Sequence, residues 1–135
     1  MSLLRFKCPS CGKVVDSAPN TVCPKCSHPM PPLAPGFVQI YRMGSPIGVA
    51  VGYGIYINGE PFGHIANKES VRIPLPYGTY TFHFTCGMTR KCEDLTVVLS
   101  PASPMAFIKA HIKPGFWTNK IIAEFADPST MPPMD

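Results

Sequence analysis

The chain has 135 residues, of which 45% are hydrophobic and 15% charged, and its formal net charge is +4. This length provides one ordinary domain and a small one but not two full cores, and the composition excludes a disordered chain. Seventeen prolines and eleven glycines disfavour a helical protein, and apolar residues nowhere keep a helical spacing for three turns. We therefore expect an all-β protein.

The N-terminal region is dominated by two Cys-Pro-x-Cys pairs, within the stretch CPSCGKVVDSAPNTVCPKC at 8–26. Two thiolates three residues apart reach one metal ion only when the chain between them forms a tight turn, which Pro9 and Pro24 favour. The residues between the pairs are sufficient for a short hairpin that brings the pairs together. We expect one structural Zn²⁺ ion, with no coordination position left open for chemistry, bound by Cys8, Cys11, Cys23 and Cys26.

This stretch resembles the zinc ribbon, whose N-terminal members in bacterial proteins often read CPxCG followed by CPxC. The resemblance implies a small β-domain with two knuckles of the rubredoxin type around a structural zinc ion. Ser27 stands where the second knuckle usually has glycine. Iron is an alternative metal, although the loop between the pairs is much shorter than in rubredoxin, and His28 is an alternative fourth ligand.

Four basic residues stand near the metal-binding cysteines, and they make nucleic acid an alternative partner: Arg5, Lys7, Lys13 and Lys25. Four thiolates with one zinc ion carry a charge of about −2, however, which offsets much of this basicity. The segment MSLLRFKC lacks the apolar run of a signal peptide, and no run of eighteen apolar residues predicts a membrane span. Thiols intended for a metal suit a reducing compartment, so we expect a cytoplasmic protein.

We expect a zinc ribbon over residues 1–28, a proline-rich linker over 29–36, a β-sandwich over 37–126 and a proline-rich tail, extended or flexible, over 127–135. In the third region apolar residues alternate with period two, which predicts an antiparallel sandwich of about eight strands. The predicted strands are 37–43, 47–57, 60–66, 70–75, 79–86, 95–99, 105–112 and 120–125. Asn58-Gly59 predicts a type I′ hairpin turn, and Pro74 predicts a strand at a sheet edge or a strand end.

Residues 53–99 carry a second resemblance. The run YGIYINGEPFGHI, followed by VRIPLPYGTYTFHF, is similar to the PEGA-type pattern of strand, Asn-Gly turn, return strand, turn and aromatic strand. Tyr77-Gly78 stands where Pro-Gly is commoner in that family. The resemblance implies a small β-sandwich that serves as a surface or accessory module, usually without catalysis.

Two further cysteines, Cys86 and Cys92, invite a disulfide, but residue parity opposes it. Cys86 shares a strand face with Phe82 and Phe84, whereas Cys92 falls on the face opposite Leu95. Unless a bulge intervenes, we expect Cys86 in the core and Cys92 as a free thiol near the surface.

No grouping of residues predicts catalysis, so we expect a non-enzymatic zinc-binding protein whose partner is another protein. The candidate binding residues are Phe116 and Trp117, which follow Pro114-Gly115 and are suited either to stacking on a ligand or to covering one end of the sandwich. Nucleic acid is one alternative ligand, through the ribbon. Carbohydrate is another, through Trp117.

Overall fold

A computed structural model describes residues 4–8, 10–17, 22–29, 34–43, 52–86, 92–113 and 120–130. The described residues form ten strands and one short 3-10 helix: β1 Leu4–Lys7, β2 Val14–Ser17, β3 Gly36–Arg42, β4 Tyr53–Ile57, β5 Glu60–Ile65, β6 Ser70–Leu75, β7 Gly78–Cys86, β8 Leu95–Leu99, β9 Met105–Lys113, β10 Lys120–Phe125 and η1 Pro128–Thr130. The predicted all-β class is confirmed. Strand ends agree with the prediction to within one residue wherever both lie in the described ranges.

The N-terminal strands β1 and β2 form a two-stranded antiparallel hairpin in which Phe6 lies opposite Val15. The alternation of this short sequence places Leu4, Phe6 and Val15 on one face. These three side chains are buried together with two of the metal-site cysteines, Cys8 and Cys23. The hairpin thus has a small core of its own beside the cysteine cluster.

The remaining strands form two four-stranded sheets, with strand orders β10-β9-β3-β6 and β5-β4-β7-β8. Six of the eight strands pair only with antiparallel neighbours, and the other two, β3 and β9, form one parallel pair in which Ile40 faces Ile108. A parallel pair needs a long crossover connection, and here the chain passes through both sheets between the two strands. The sandwich is therefore antiparallel, as expected, except at this one pair.

The core lies between the two sheets and is filled by alternate residues of most strands. Along β7, Phe82 and Phe84 are fully buried and Cys86 is 6% exposed, as the alternation predicts. Along β4, the corresponding residues are Tyr53, Ile55 and Ile57. The part of the strand predicted before residue 52 lies outside the described residues.

The hairpin between β4 and β5 has the predicted turn. Asn58 and Gly59 adopt φ angles of 52° and 79°, the positive values that a type I′ turn requires. The Asn58 side chain also accepts a hydrogen bond of 2.9 Å from the backbone N–H of Thr81 on β7. β6, which contains Pro74, lies at the edge of its sheet as predicted.

The hairpin of β1 and β2 packs against the sandwich beside β6. The link is Arg5, which is only 8% exposed. Its guanidinium lies 3.0 Å from a carboxylate oxygen of Asp16 and 3.9 Å from one of Glu69, and it donates a hydrogen bond to the carbonyl of His64. Strands β5 and β6, one edge strand of each sheet, are therefore both held near this hairpin.

The chain after β10 begins with a 3-10 turn at Pro128–Thr130 instead of an extended segment. The Asp127 carboxylate accepts hydrogen bonds of 2.9 Å from both the backbone N–H and the hydroxyl of Ser129. This local pairing lowers the pKa of Asp127 and explains the turn. Residues 131–135 of the expected tail, and 30–33 of the expected linker, lie outside the described residues.

Candidate metal centre

Each cysteine pair lies in a tight turn closed by the same two backbone hydrogen bonds. In the first, the Cys8 carbonyl accepts from Gly12 N–H at 3.0 Å, and Cys8 N–H donates to the Lys13 carbonyl at 2.9 Å. In the second, Cys23 makes the equivalent bonds with Ser27 and His28, both at 2.8 Å. The two turns are therefore near copies of each other, and each directs two sulfur atoms towards one point.

The four sulfur atoms form a compact cluster in which all lie within 4.8 Å of one another. The Sγ atoms of Cys8 and Cys26 are 3.6 Å apart, and those of Cys11 and Cys23 are 3.9 Å apart. Metal–sulfur bonds of about 2.3 Å in a regular tetrahedron require sulfur–sulfur separations of about 3.8 Å. The cluster therefore has the dimensions of a four-thiolate site for a metal ion.

The first cysteine of each pair is buried and the second is exposed. Cys8 and Cys23 are both 1% exposed and contribute to the small core of the hairpin, whereas Cys11 and Cys26 face solvent. A metal at this position would be anchored on its inner side by the fold and would have only thiolates on its outer side. All four tetrahedral positions are taken by sulfur, so the arrangement is that of a structural site.

Backbone hydrogen bonds, burial and the neighbouring sulfurs give the Cys8 and Cys26 thiols different pKa values. The pKa of Cys8 is lowered to about 6, chiefly because the backbone N–H of Cys11 donates to its sulfur, while burial opposes this effect. At Cys26 the backbone N–H of His28 acts in the same direction, but loss of hydration and the adjacent thiols outweigh it and raise the pKa to about 11. Four crowded sulfurs cannot all ionise easily by themselves, and a bound cation removes that obstacle.

His28 contributes its backbone carbonyl to the second turn, but its ring does not belong to the cluster, which consists of sulfur atoms alone within the described residues. The alternative in which His28 replaces a thiolate therefore has no support from the geometry. Pro24 lies in the second turn as expected, and Pro9 lies outside the described residues.

Comparison with known proteins returned no match for this chain, whether against family models, curated proteins or solved structures. Within the described ranges no helix is long and apolar enough to span a membrane.

The structure describes only some of the other residues singled out from the sequence. Phe116 and Trp117 lie outside the described residues. Cys86 and Cys92 are free thiols, as expected. Cys92 is near the surface but half-buried against the sandwich core, and it forms an isolated bridge with Ile121. Its burial raises its pKa.

Of the three buried polar residues in the described part of the chain, Arg5, Gln39 and Arg42, none was predicted from the sequence, and Arg42 is the most deeply buried. Its side chain is fully buried, its guanidinium carbon lies 3.8 Å from the centre of the Tyr53 ring, and Nη1 donates to the Ile65 carbonyl at 3.1 Å. The signal was present in the alternation, because Arg42 follows Val38 and Ile40 on the inward face of β3. A buried arginine of this kind joins the ends of two sheets by hydrogen bonding and a cation–π contact.

Proposed function

We propose that this chain is a non-enzymatic zinc-binding protein in which a zinc ribbon over residues 1–28 acts as a structural part of an interaction module. The observation that carries the proposal is the tetrahedral spacing of the Cys8, Cys11, Cys23 and Cys26 sulfurs. An all-thiolate donor set favours zinc over harder cations such as magnesium or calcium, and an iron ion would fit the same four sulfurs. Zinc is preferred because the loop between the two cysteine pairs is short and the site has no open coordination position, as in the zinc ribbon that the sequence resembles.

The metal's role in this proposal is to hold the hairpin in the shape that contacts the sandwich. Arg5 connects that hairpin to Glu69 and His64 of the sandwich, so the metal site and the contact surface are parts of one assembly. A small hairpin with few buried apolar side chains has little stability of its own, and a bound metal supplies it. The absence of an open coordination position is the basis for proposing no catalysis at the metal.

A protein partner remains our proposal for the module as a whole, in the cytoplasm. It is supported by a groove of about 410 Å³ beside β8, β9 and β10, where Val98, Met105 and Phe125 are exposed by 58%, 49% and 57%. Exposed apolar side chains gathered at one place are typical of protein contact surfaces. The ribbon is a less favourable nucleic-acid surface than its composition suggested, because Arg5 is buried in ion pairs.

The test is metal analysis of the protein purified without added metal, for the wild type and two matched variants. We expect about one zinc per chain in the wild type and in Cys92→Ser, which removes a thiol outside the cluster. Cys26→Ser should release zinc to a chelator far more readily. Equal retention by Cys26→Ser and the wild type, or a full complement of iron in place of zinc, would refute the zinc assignment.

A further inference from the structure

The lysines and arginines of the sandwich strands all lie in one of its two sheets. The strands β4, β5, β7 and β8 contain none, whereas the sheet ordered β10-β9-β3-β6 contains five. Arg42 points into the core, and the remaining four alternate with core residues and therefore project from the outer face. They are Arg72, Lys109, Lys113 and Lys120.

The same four strands contain one acidic residue, Glu124, so that four positive charges and one negative charge leave the outer face at +3. We call this outer surface the basic face. Most of the chain's formal net charge of +4 is thereby concentrated on one side of one sheet. Such a concentration attracts a polyanion.

Aromatic rings are interleaved with these cations. Phe37 and Tyr41 on β3 and Phe107 on β9 are all partly exposed on the basic face. The rings of Phe37 and Phe107 meet edge to face with centroids 5.9 Å apart, and the Arg72 guanidinium lies 4.4 Å above the Phe37 ring. Tyr41 is directly beside Lys109 in the pairing of β3 with β9.

The cations of the basic face differ in how available they are, because the Arg72 guanidinium donates to the Gln39 side chain at 3.1 Å and Glu124 lies opposite Lys109 in the pairing of β10 with β9. Among the described residues, Lys109 and Lys113 take part in no ion pair. Lys120 lies 3.4 Å from Glu93, but the Glu93 side chain is 88% exposed, and such surface pairs exchange readily.

The outer face of the opposite sheet provides an internal comparison. It presents threonines, including Thr81, Thr85 and Thr96, and its ion pair between His83 and Asp94 brings a negative charge and no lysine or arginine. Tyr56 lies there beside the His83 ring. The outer faces of the two four-stranded sheets therefore differ in charge, although both belong to the same sandwich.

We infer that the basic face binds single-stranded nucleic acid. Lys109 and Lys113 would neutralise backbone phosphates, while the Tyr41 and Phe107 rings would stack on unpaired bases. A duplex keeps its bases stacked on one another and leaves the rings without a partner. An acidic protein would use the lysines but would not need the rings. This inference goes beyond the proposed function, because it concerns the outer face of a sandwich sheet and not the cysteine cluster.

The first experiment measures binding of a fluorescein-labelled oligothymidylate of about 16 nucleotides by anisotropy at several salt concentrations. The double variant Lys109→Gln/Lys113→Gln is compared with Lys7→Gln/Lys25→Gln, which removes the same charge from exposed positions on the ribbon. We expect the first variant to bind at least about tenfold more weakly. Its slope of log K against log salt should fall by about 1.4, since each phosphate contact contributes about 0.7. The ribbon variant should stay within about twofold of the wild type.

The second experiment removes a ring without changing charge. Tyr41→Leu should weaken oligothymidylate binding at least about fivefold, while Tyr56→Leu on the opposite sheet should have no effect. Absence of wild-type binding, a larger loss in the ribbon variant than in the sheet variant, or equal competition by duplex DNA would overturn the inference. So would competition by polyglutamate with no effect of Tyr41→Leu, which would point to an acidic protein. Circular dichroism and zinc content of every variant separate these outcomes from misfolding and from failure of the zinc assignment.

Discussion

Gly12 and Ser27 occupy the same position in the two metal-binding turns. Each lies four residues after a buried cysteine and donates its backbone N–H to that cysteine's carbonyl. Their φ angles are 73° and 63°, so both are in the left-handed region that favours glycine. The second turn therefore reproduces the first with a residue for which this conformation costs free energy.

This equivalence predicts an asymmetry between two substitutions. Nothing lies within 4 Å of a Cβ added at Gly12, so Gly12→Ala should cost only its left-handed strain, about 1 kcal/mol. Ser27→Gly relieves a similar strain but adds conformational freedom to the unfolded chain. The free energy of unfolding of this variant should therefore differ from that of the wild type by less than about 0.5 kcal/mol. Urea unfolding of the zinc-loaded proteins measures both. A loss of more than about 2 kcal/mol of unfolding free energy in Gly12→Ala would show that residue 12 is restricted by something other than its left-handed backbone conformation.

Arg5 is predicted to hold the metal-binding hairpin against the sandwich. Arg5→Met keeps the apolar stem but leaves the His64 carbonyl without its side-chain donor, so we expect a loss of about 1–3 kcal/mol in unfolding free energy. Lys7→Met, at an exposed position in the same strand, should change it by no more than about 0.5 kcal/mol. Equal effects of the two substitutions would mean that the contact with the sandwich does not contribute to stability.

The buried tyrosine Tyr53 predicts a loss of stability at alkaline pH. Burial raises its pKa above 10, although Arg42 acts in the opposite direction. Because the phenol has the higher pKa in the folded state, its contribution to stability is constant below pH 10 and decreases as pH rises above 10. Tyr53→Phe should therefore reduce the loss of stability between pH 9 and about pH 11, as measured by denaturant unfolding.

Tyr80 provides the control for that substitution. Burial also raises the pKa of Tyr80, but its hydroxyl donates a hydrogen bond of 2.6 Å to the Pro76 carbonyl. The Tyr53 hydroxyl has no hydrogen-bond partner among the described residues. At pH 7, Tyr80→Phe should cost about 0.5–1.5 kcal/mol, whereas Tyr53→Phe should be neutral or slightly stabilising. The reverse order would show that the Tyr53 hydroxyl is hydrogen-bonded in solution.

Thiol labelling should distinguish the clustered cysteines from the two outside the cluster. With metal bound, Cys11 and Cys26 should resist N-ethylmaleimide despite their exposure, and a chelator should make both react. Cys92 should react slowly in either state, because burial raises its pKa. Mass spectrometry of the labelled peptides gives the rate at each site. Rapid labelling of Cys11 before chelation would contradict metal protection.

The sequence predicted the strands well because alternation and turn residues agree along most of the chain. Asn58-Gly59 marks its turn, and Phe82 and Phe84 define the buried face of β7 without reference to any other strand. The parallel pairing of β3 with β9 was not predictable in this way, because short turns inform only about sequence neighbours. Ile40 and Ile108 are far apart in the sequence and become neighbours by strand pairing within one sheet, which no local pattern records.

The metal cluster was predicted for the same local reason, since each cysteine pair carries its own turn. The role of Arg5 was not, because a lysine or arginine beside acidic and apolar residues is most simply interpreted as a surface charge. Its partners Glu69 and His64 lie about sixty residues away. The concentration of cations on one sheet was likewise hidden, because strand order and not sequence order brings Arg72 and Lys109 to the same face.

The central claim is that four cysteine sulfurs bind one zinc ion with no position left open. X-ray absorption at the zinc edge of the purified protein tests it most directly, together with metal stoichiometry. We predict about one zinc per chain and a first shell of four sulfurs at about 2.3 Å. A shell containing oxygen or nitrogen at about 2.0–2.1 Å, or protein that folds normally without bound metal, would contradict the claim.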